Sequence, residues 1–171
     1  MATNTKTDKF ANQAYGTVTE TGANTLTFSE IQTHVDVFSK QAWIIQRIQW
    51  YLTQTQTNKI LDTADSIALA LTCSNKASSL SLQDPALIDL LEFQIIGVIA
   101  AGLNLVRMPL TRDFETLPGG GIIITPRPLY IAAQGTSLAS AITASARIYF
   151  TQVTLPTEQY WELVEARRMV E

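Results

Sequence analysis

Charge is scarce in this chain. Lys, Arg, Asp and Glu make up 16% of its 171 residues, where about a quarter is usual for a soluble domain. Neutral polar side chains fill the gap, with 22 Thr and 12 Gln. Thr favours strands, because its β-branched side chain packs well on a pleated surface. A surface of Thr and Gln is also easy to bury against another subunit, since little charge must be desolvated. The net charge is −3, and Arg167-Arg168 is the one cationic cluster. The first forty residues hold only Lys6, Lys9 and Lys40, against Asp8, Glu20, Glu30 and Asp36. This excludes the basic arm that grips nucleic acid through its backbone.

Histidine and cysteine are nearly absent. His34 and Cys73 are the sole examples, too few for a zinc site or for the histidine-rich centre of a cupin-type enzyme. A lone Cys excludes an intrachain disulfide and argues against a disulfide-stapled secreted domain. His34 lies in the apolar segment Ile31 to Phe38, with no nucleophile at a recognisable spacing. Asp62 and Asp65 offer two carboxylates with no further oxygen ligands, which reads as a solvated loop rather than a cation site. Neither catalytic activity nor a cofactor or metal is expected.

Long hydrophobic runs are missing too. The greasiest window, Phe93 to Val106, is bounded by Asp89, Glu92 and Arg107. It falls short of the roughly 20 apolar residues that span a bilayer and reads as a buried strand with apolar residues on both faces. The opening residues are polar and lack the core of a signal peptide.

What remains is β-patterned. Met1 to Asn24 shows no sustained period and reads as a flexible or partner-dependent arm. Ala42 to Leu52 alternates with one flaw and is rich in β-branched and aromatic residues, which favours a strand. A helix competes, because Ile31, Val35, Phe38, Ala42, Ile45 and Leu52 recur at spacings of three, four and seven. The Thr-Gln repeat Thr53 to Thr57 reads as an exposed strand end. Ile67, Leu69, Leu71 and Cys73 alternate with Ser66, Ala68, Ala70 and Thr72, a half-buried strand with Cys73 as a small buried hydrophobe. Ser81 to Phe93 carries marks of a short helix, with Ser81 or Asp84 as cap and Pro85 in the first turn. Met108 to Pro118 reads as a loop.

Gly119-Gly120-Gly121 invites comparison with a phosphate loop. Ile122-Ile123-Ile124 follows, with neither the Lys nor the helix that such a loop requires. The glycines therefore read as a loop entering a strand, Gly121 to Ala133, that Pro126 and Pro128 bend near a sheet edge. That loop is a place to look for contact with a neighbouring subunit. Gln134 to Ala139 resembles a hairpin connection. In Ala141 to Leu155, Ile142, Ala144, Ala146, Ile148 and Phe150 share one face. The tail changes period: Thr157 caps a helix, Glu158 and Arg167-Arg168 match its dipole, and Tyr160, Leu163, Val164 and Arg167 form its stripe. So short a helix must dock on its own sandwich or on a neighbour.

Strands without alternating helices imply an antiparallel sandwich or barrel. We expect a mainly β protein: an arm at 1–24, an eight-stranded jelly roll at 25–155, and a C-terminal helix or tail at 156–171. The polar arm, the Thr-rich strands and the closing run "ARIYFTQVTLPTEQYWELVEARR" together resemble a single-jelly-roll viral coat protein. The resemblance implies a virion location, self-assembly with copies of itself into an icosahedral shell, and terminal arms reaching onto neighbours. Many small coat proteins carry a basic arm and this chain departs from them. The genome would then be held by a second capsid protein, enclosed by an internal membrane or packaged by a motor. Trp43, Tyr160, Trp161, Arg167 and Arg168 are the candidate assembly-interface residues, with the three aromatics expected at intersubunit or helix-to-barrel contacts. A carbohydrate-binding or adhesin-type β-sandwich is the alternative, using Trp43 with Tyr51 or Tyr130 with Tyr149 on a sheet face.

Overall fold

The computed structural model describes residues 11–31, 40–57, 59–60, 64–94, 110–125 and 128–168. His34, Asp62, most of the apolar window Phe93 to Val106, and the competing helical positions Val35 and Phe38 lie outside them. Among the described residues the protein is mainly β, with two antiparallel sheets and one longer helix at the C-terminal end. The first sheet contains β1 (Asn12–Thr19), β9 (Thr143–Thr154), β3 (Gln41–Tyr51), β6 (Leu110–Asp113) and β7 (Ile122–Ile124). The second runs in the order β2 (Thr27–Ile31), β8 (Leu129–Thr136), β4 (Ser66–Thr72) and β5 (Leu87–Gln94). The strand pairing is nested: β1 pairs with β9, β2 with β8, β3 with both β6 and β7, and β4 with β5. The pairs β3–β9 and β4–β8 complete the two sheets.

The core lies between the sheets. Ile142, Ala144, Ala146, Ile148 and Phe150, the expected face of β9, are all buried. Ile67, Leu69 and Leu71 meet them from β4, and Ile131 and Ala133 from β8. The flaw in the alternation of β3 is a bulge. Ile45 pairs with Phe150 and Arg47 with Tyr149, leaving Gln46 over. An extra residue reverses which parity faces inward. Trp43 and Ile45 therefore point into the core before the bulge, and Ile48 and Trp50 after it.

That bulge also shapes the neighbouring edge. β6 pairs with residues 47–50 of β3 and β7 with residues 43–45, so the two short strands lie end to end on one side of β3. The carbonyl of Gln46 accepts the amide of Phe114 at 2.7 Å where β6 leaves. The glycines bring the chain back, with φ of 89°, 77° and 151° at Gly119, Gly120 and Gly121. They serve as the loop entering a strand, as the sequence implied.

Several expectations need correction. Asn12–Thr19, within the stretch read as an arm, is strand β1. Its inward positions are Asn12, Ala14, Gly16 and Val18, too small to give a hydrophobic period. A Cβ on Gly16 would meet Ile131 at 2.8 Å, so the close approach of the second sheet requires this residue. Ser81 to Phe93 is a turn followed by β5, because Asp84 Oδ1 accepts the amide of Ala86 and bends the chain instead of starting a helix. Leu110–Asp113, read as loop, is β6, a charged edge strand held by its side-chain bonds. Thr53 to Thr57 ends not as strand but in the one-turn helix α1 (Gln54–Thr57). There the Gln56 side chain accepts the amide of Thr143 and helps start β9. Gly121 to Ala133 is two strands, since β7 and β8 belong to different sheets. The link after β8 likewise crosses between sheets instead of forming a hairpin. Glu20 and Asn24 hold it from the β1–β2 turn: Glu20 accepts the amides of Gly135 and Ile142, and Asn24 accepts that of Leu138.

Candidate functional site on the outer face of the first sheet

The outer face of the first sheet has two halves, and the bulge at Gln46 divides them. On one half Ala42 and Ile44 of β3 and Val153 of β9 point outward, and α2 (Thr157–Arg168) covers them. The helix packs through Tyr160, Leu163 and Val164, most of the stripe its period implied. Thr157 opens the helix, and its hydroxyl accepts a hydrogen bond from Lys40 Nζ at 2.7 Å. Tyr160 is 3% exposed and belongs to this seat, so it serves the monomer. Trp161, set edge-on to it, is 57% exposed. Ile123 pairs with Ile44 beside the seat and is also exposed. Arg168 is exposed and lies 3.9 Å from Glu165 on the same helix. Arg167 is part of α2, with its side chain outside the described structure.

On the other half Arg47, Gln49 and Tyr51 of β3 point outward beside Ser145, Arg147 and Tyr149 of β9 and Gln13, Tyr15 and Thr17 of β1. Tyr15, Arg147 and Gln49 form one cross-strand row, and Thr17, Ser145 and Tyr51 the next. Between these rows lies a shallow cleft of about 290 Å³, lined by Tyr15, Gln49, Tyr51, Ser145, Ala146 and Arg147. Tyr15 is 79% exposed and Tyr51 49%. The Tyr149 hydroxyl and Gln49 Oε1 bond at 2.9 Å, which turns the Gln49 amide nitrogen away from Tyr149.

The arginines near this half differ. Arg47 donates to Asp113 at 2.9 Å and has Glu115 within 3.8 Å. These neighbours raise the pKa of the guanidinium, the hydrogen bond to Asp113 contributing most. Asp113 is held below its ordinary value, first by the backbone N–H of Glu115 and then by Arg47. A depressed carboxylate contributes its link above the ordinary carboxylate range and loses it as pH falls through the lowered value. A carbon-detected NMR titration should place the Asp113 midpoint below that of an unpartnered Asp. Arg47→Met should raise it only in part, because the Glu115 amide remains. Arg112, level with inward-facing Ile48, reaches away from this face to pair with Asp89 of the second sheet. Arg147 is exposed and makes no ion pair among the described residues.

Trp43, expected at an interface, is 3% exposed and stacks on Phe150 with ring centroids 3.6 Å apart. The bulge turned it inward. Its Nε1 has no hydrogen-bond partner among the described residues. It lies at the base of a second cleft, of about 500 Å³, between the starting end of β1 and the end of β2. The tyrosine pairings expected for a binding face also fail. Trp43 and Tyr51 point to opposite sides of the sheet, and Tyr130 and Tyr149 lie on different sheets. Tyr15 and Tyr51 share the outer face of the first sheet, with Tyr149 beside them. Tyr15 was hidden because its strand lacked a legible period. Cys73 is half-buried against the core. Among the described residues no three His, Cys, Asp or Glu gather in a metal-holding group, and no helix is long and apolar enough to cross a membrane.

No family model, curated protein or solved structure matches the chain.

Proposed function

We propose that this chain is a structural, self-assembling protein, the major capsid protein of an icosahedral virus shell, built on a single eight-stranded jelly roll. The nested strand pairing carries this reading. A jelly roll is a long hairpin folded over into two sheets by successive Greek-key turns. Pairing first with last, second with second-last and so inward to β4–β5 is the path such a rolled hairpin takes. Counting β6 and β7 as one interrupted position makes eight, four to a sheet.

The surface supports assembly. Trp161 and Ile123 stand exposed by the helix seat, and Leu117 is exposed on the loop before the glycines. Large apolar side chains of this kind are enriched where subunits meet. Self-association needs no genome-binding arm, so a second coat protein, a membrane or a motor remains the natural source of genome contact.

Negative-stain electron microscopy of the purified protein should show rings, sheets or closed shells. Trp161→Glu and Ile123→Asp together should abolish them while leaving the circular dichroism spectrum of the fold intact. Single dispersed particles from the unaltered protein would count against the proposal. The alternative, a carbohydrate-binding sandwich, is favoured by one observation, the cleft between Tyr15 and Tyr51.

A further inference from the structure

We propose that the cleft on the outer face of the first sheet binds an acidic saccharide, two sugar rings long, with Arg147 taking its carboxylate or sulfate. The proposal does not rest on assembly and holds for a monomer or a shell.

Shape comes first. A cleft of about 290 Å³ is at the small end of ligand sites. Tyr15 and Tyr51 stand at opposite corners of it, two strand positions apart and one row along. Strand geometry puts their Cα atoms about 12 Å apart, which suits a pair of linked sugar rings with one ring against each tyrosine. Each phenol offers the electron-rich face that attracts the polarised C–H bonds of a pyranose. Both are exposed in the unliganded protein, at a cost in solvated aromatic surface that a ligand would remove.

Polar groups between the two rings set the chemistry. Gln49, fixed by Tyr149, has its amide nitrogen free to donate to a sugar hydroxyl. Ser145 is held by Thr17 at 2.9 Å and can exchange hydrogen bonds with another. Arg147 lies between Tyr15 and Gln49 in one cross-strand row, two residues along β9 from Ser145. The six lining residues include one cation and no anion. A guanidinium with no ion pair among the described residues, in a fixed fork of donors, matches a carboxylate or sulfate in two parallel hydrogen bonds.

Two other anionic partners fit less well. Nucleic acid would also stack on tyrosine, but its affinity comes from several Lys and Arg on successive phosphates, and Arg47, on the same face, is already engaged by Asp113. Phosphopeptide readers likewise cluster arginines.

The test is ligand-observed NMR and calorimetry on the full chain with sialyllactose, a galacturonic acid disaccharide and a sulfated disaccharide. Lactose is the neutral control and a short oligothymidylate the nucleic-acid control. At least one acidic probe should bind saturably at millimolar concentration, with saturation transfer from tyrosine ring protons. Arg147→Gln should weaken that probe by about tenfold or more, the loss of a charge-assisted pair, and leave lactose unchanged. Tyr51→Ala should weaken acidic and neutral probes alike. Both substitutions are on exposed side chains, and an unchanged melting temperature would show that the fold survives. Failure of all acidic probes to saturate, equal binding in both variants, or tighter and steeply salt-dependent binding of the oligothymidylate would overturn the proposal.

Discussion

Replacing Gly121 with alanine should destabilise the fold by about 3 kcal/mol, while the same change at Gly119 or Gly120 costs about 1 kcal/mol. All three glycines have positive φ, so each substitution carries the strain of a left-handed backbone. Their surroundings differ. A Cβ on Gly119 or Gly120 would meet nothing within 4 Å. On Gly121 it would lie 2.3 Å from the carbonyl oxygen of Ile45 and 2.7 Å from Ile44 Cγ2. A backbone carbonyl in a paired strand cannot swing aside, so β7 would have to leave β3. Urea unfolding of the three variants should separate Gly121 from the other two. Equal costs at all three positions would mean that the close approach to β3 is not what the third glycine serves.

The two buried tryptophans of β3 should respond unequally to loss of their indole nitrogen. Trp50 is fully buried, and its Nε1 donates to Asp89 Oδ2 at 2.9 Å across the sandwich. Arg112 holds the other carboxylate oxygen at 3.1 Å. Trp50→Phe removes core volume and leaves a buried carboxylate one donor short. Both effects destabilise, by about 2–3 kcal/mol in total, which lowers the melting temperature by roughly 5–10 °C in a domain of this size. Trp43→Phe keeps a stack on Phe150 and removes a buried donor that has no partner among the described residues. Its loss of packing and its relief of desolvation offset each other, so stability should stay within about 1 kcal/mol. Equal losses at the two sites would show that volume alone decides.

Much of this architecture was legible where burial leaves a period. β9 alternates cleanly because one face lies in the core; β4 alternates in sequence but is not half-buried, since the small Ser66, Ala70 and Thr72 of its other face are buried too. α2 declares itself because its stripe changes spacing at Tyr160. The flaw in β3 was visible, but its meaning was not. A single extra residue, Gln46, reverses the inward parity and sends Trp43 into the core instead of to the surface. β1 shows no period because its inward side chains are small or polar, and Gly16 is small by necessity under Ile31 and Ile131. Tyr15 went unseen with it, and so did half of the candidate cleft. β6 was hidden by its charges, which are legible only once Arg47 and Asp89 are known to face them. The assignment of β7 and β8 to separate sheets depends on long-range pairing, which no local pattern encodes. Tyr160 and Trp161 are neighbours with opposite exposure, a distinction set by which side of α2 meets Val153 and Leu155.

The nested strands and the exposed Trp161 and Ile123 bear on function only through association with other copies. Size-exclusion chromatography with light scattering, run over a range of protein concentration and ionic strength, tests that most directly. The proposed role requires masses that are multiples of 18.8 kDa, rising with concentration. They should persist at high salt, since the exposed side chains by the helix seat are apolar. A mass of one chain under every condition would contradict it.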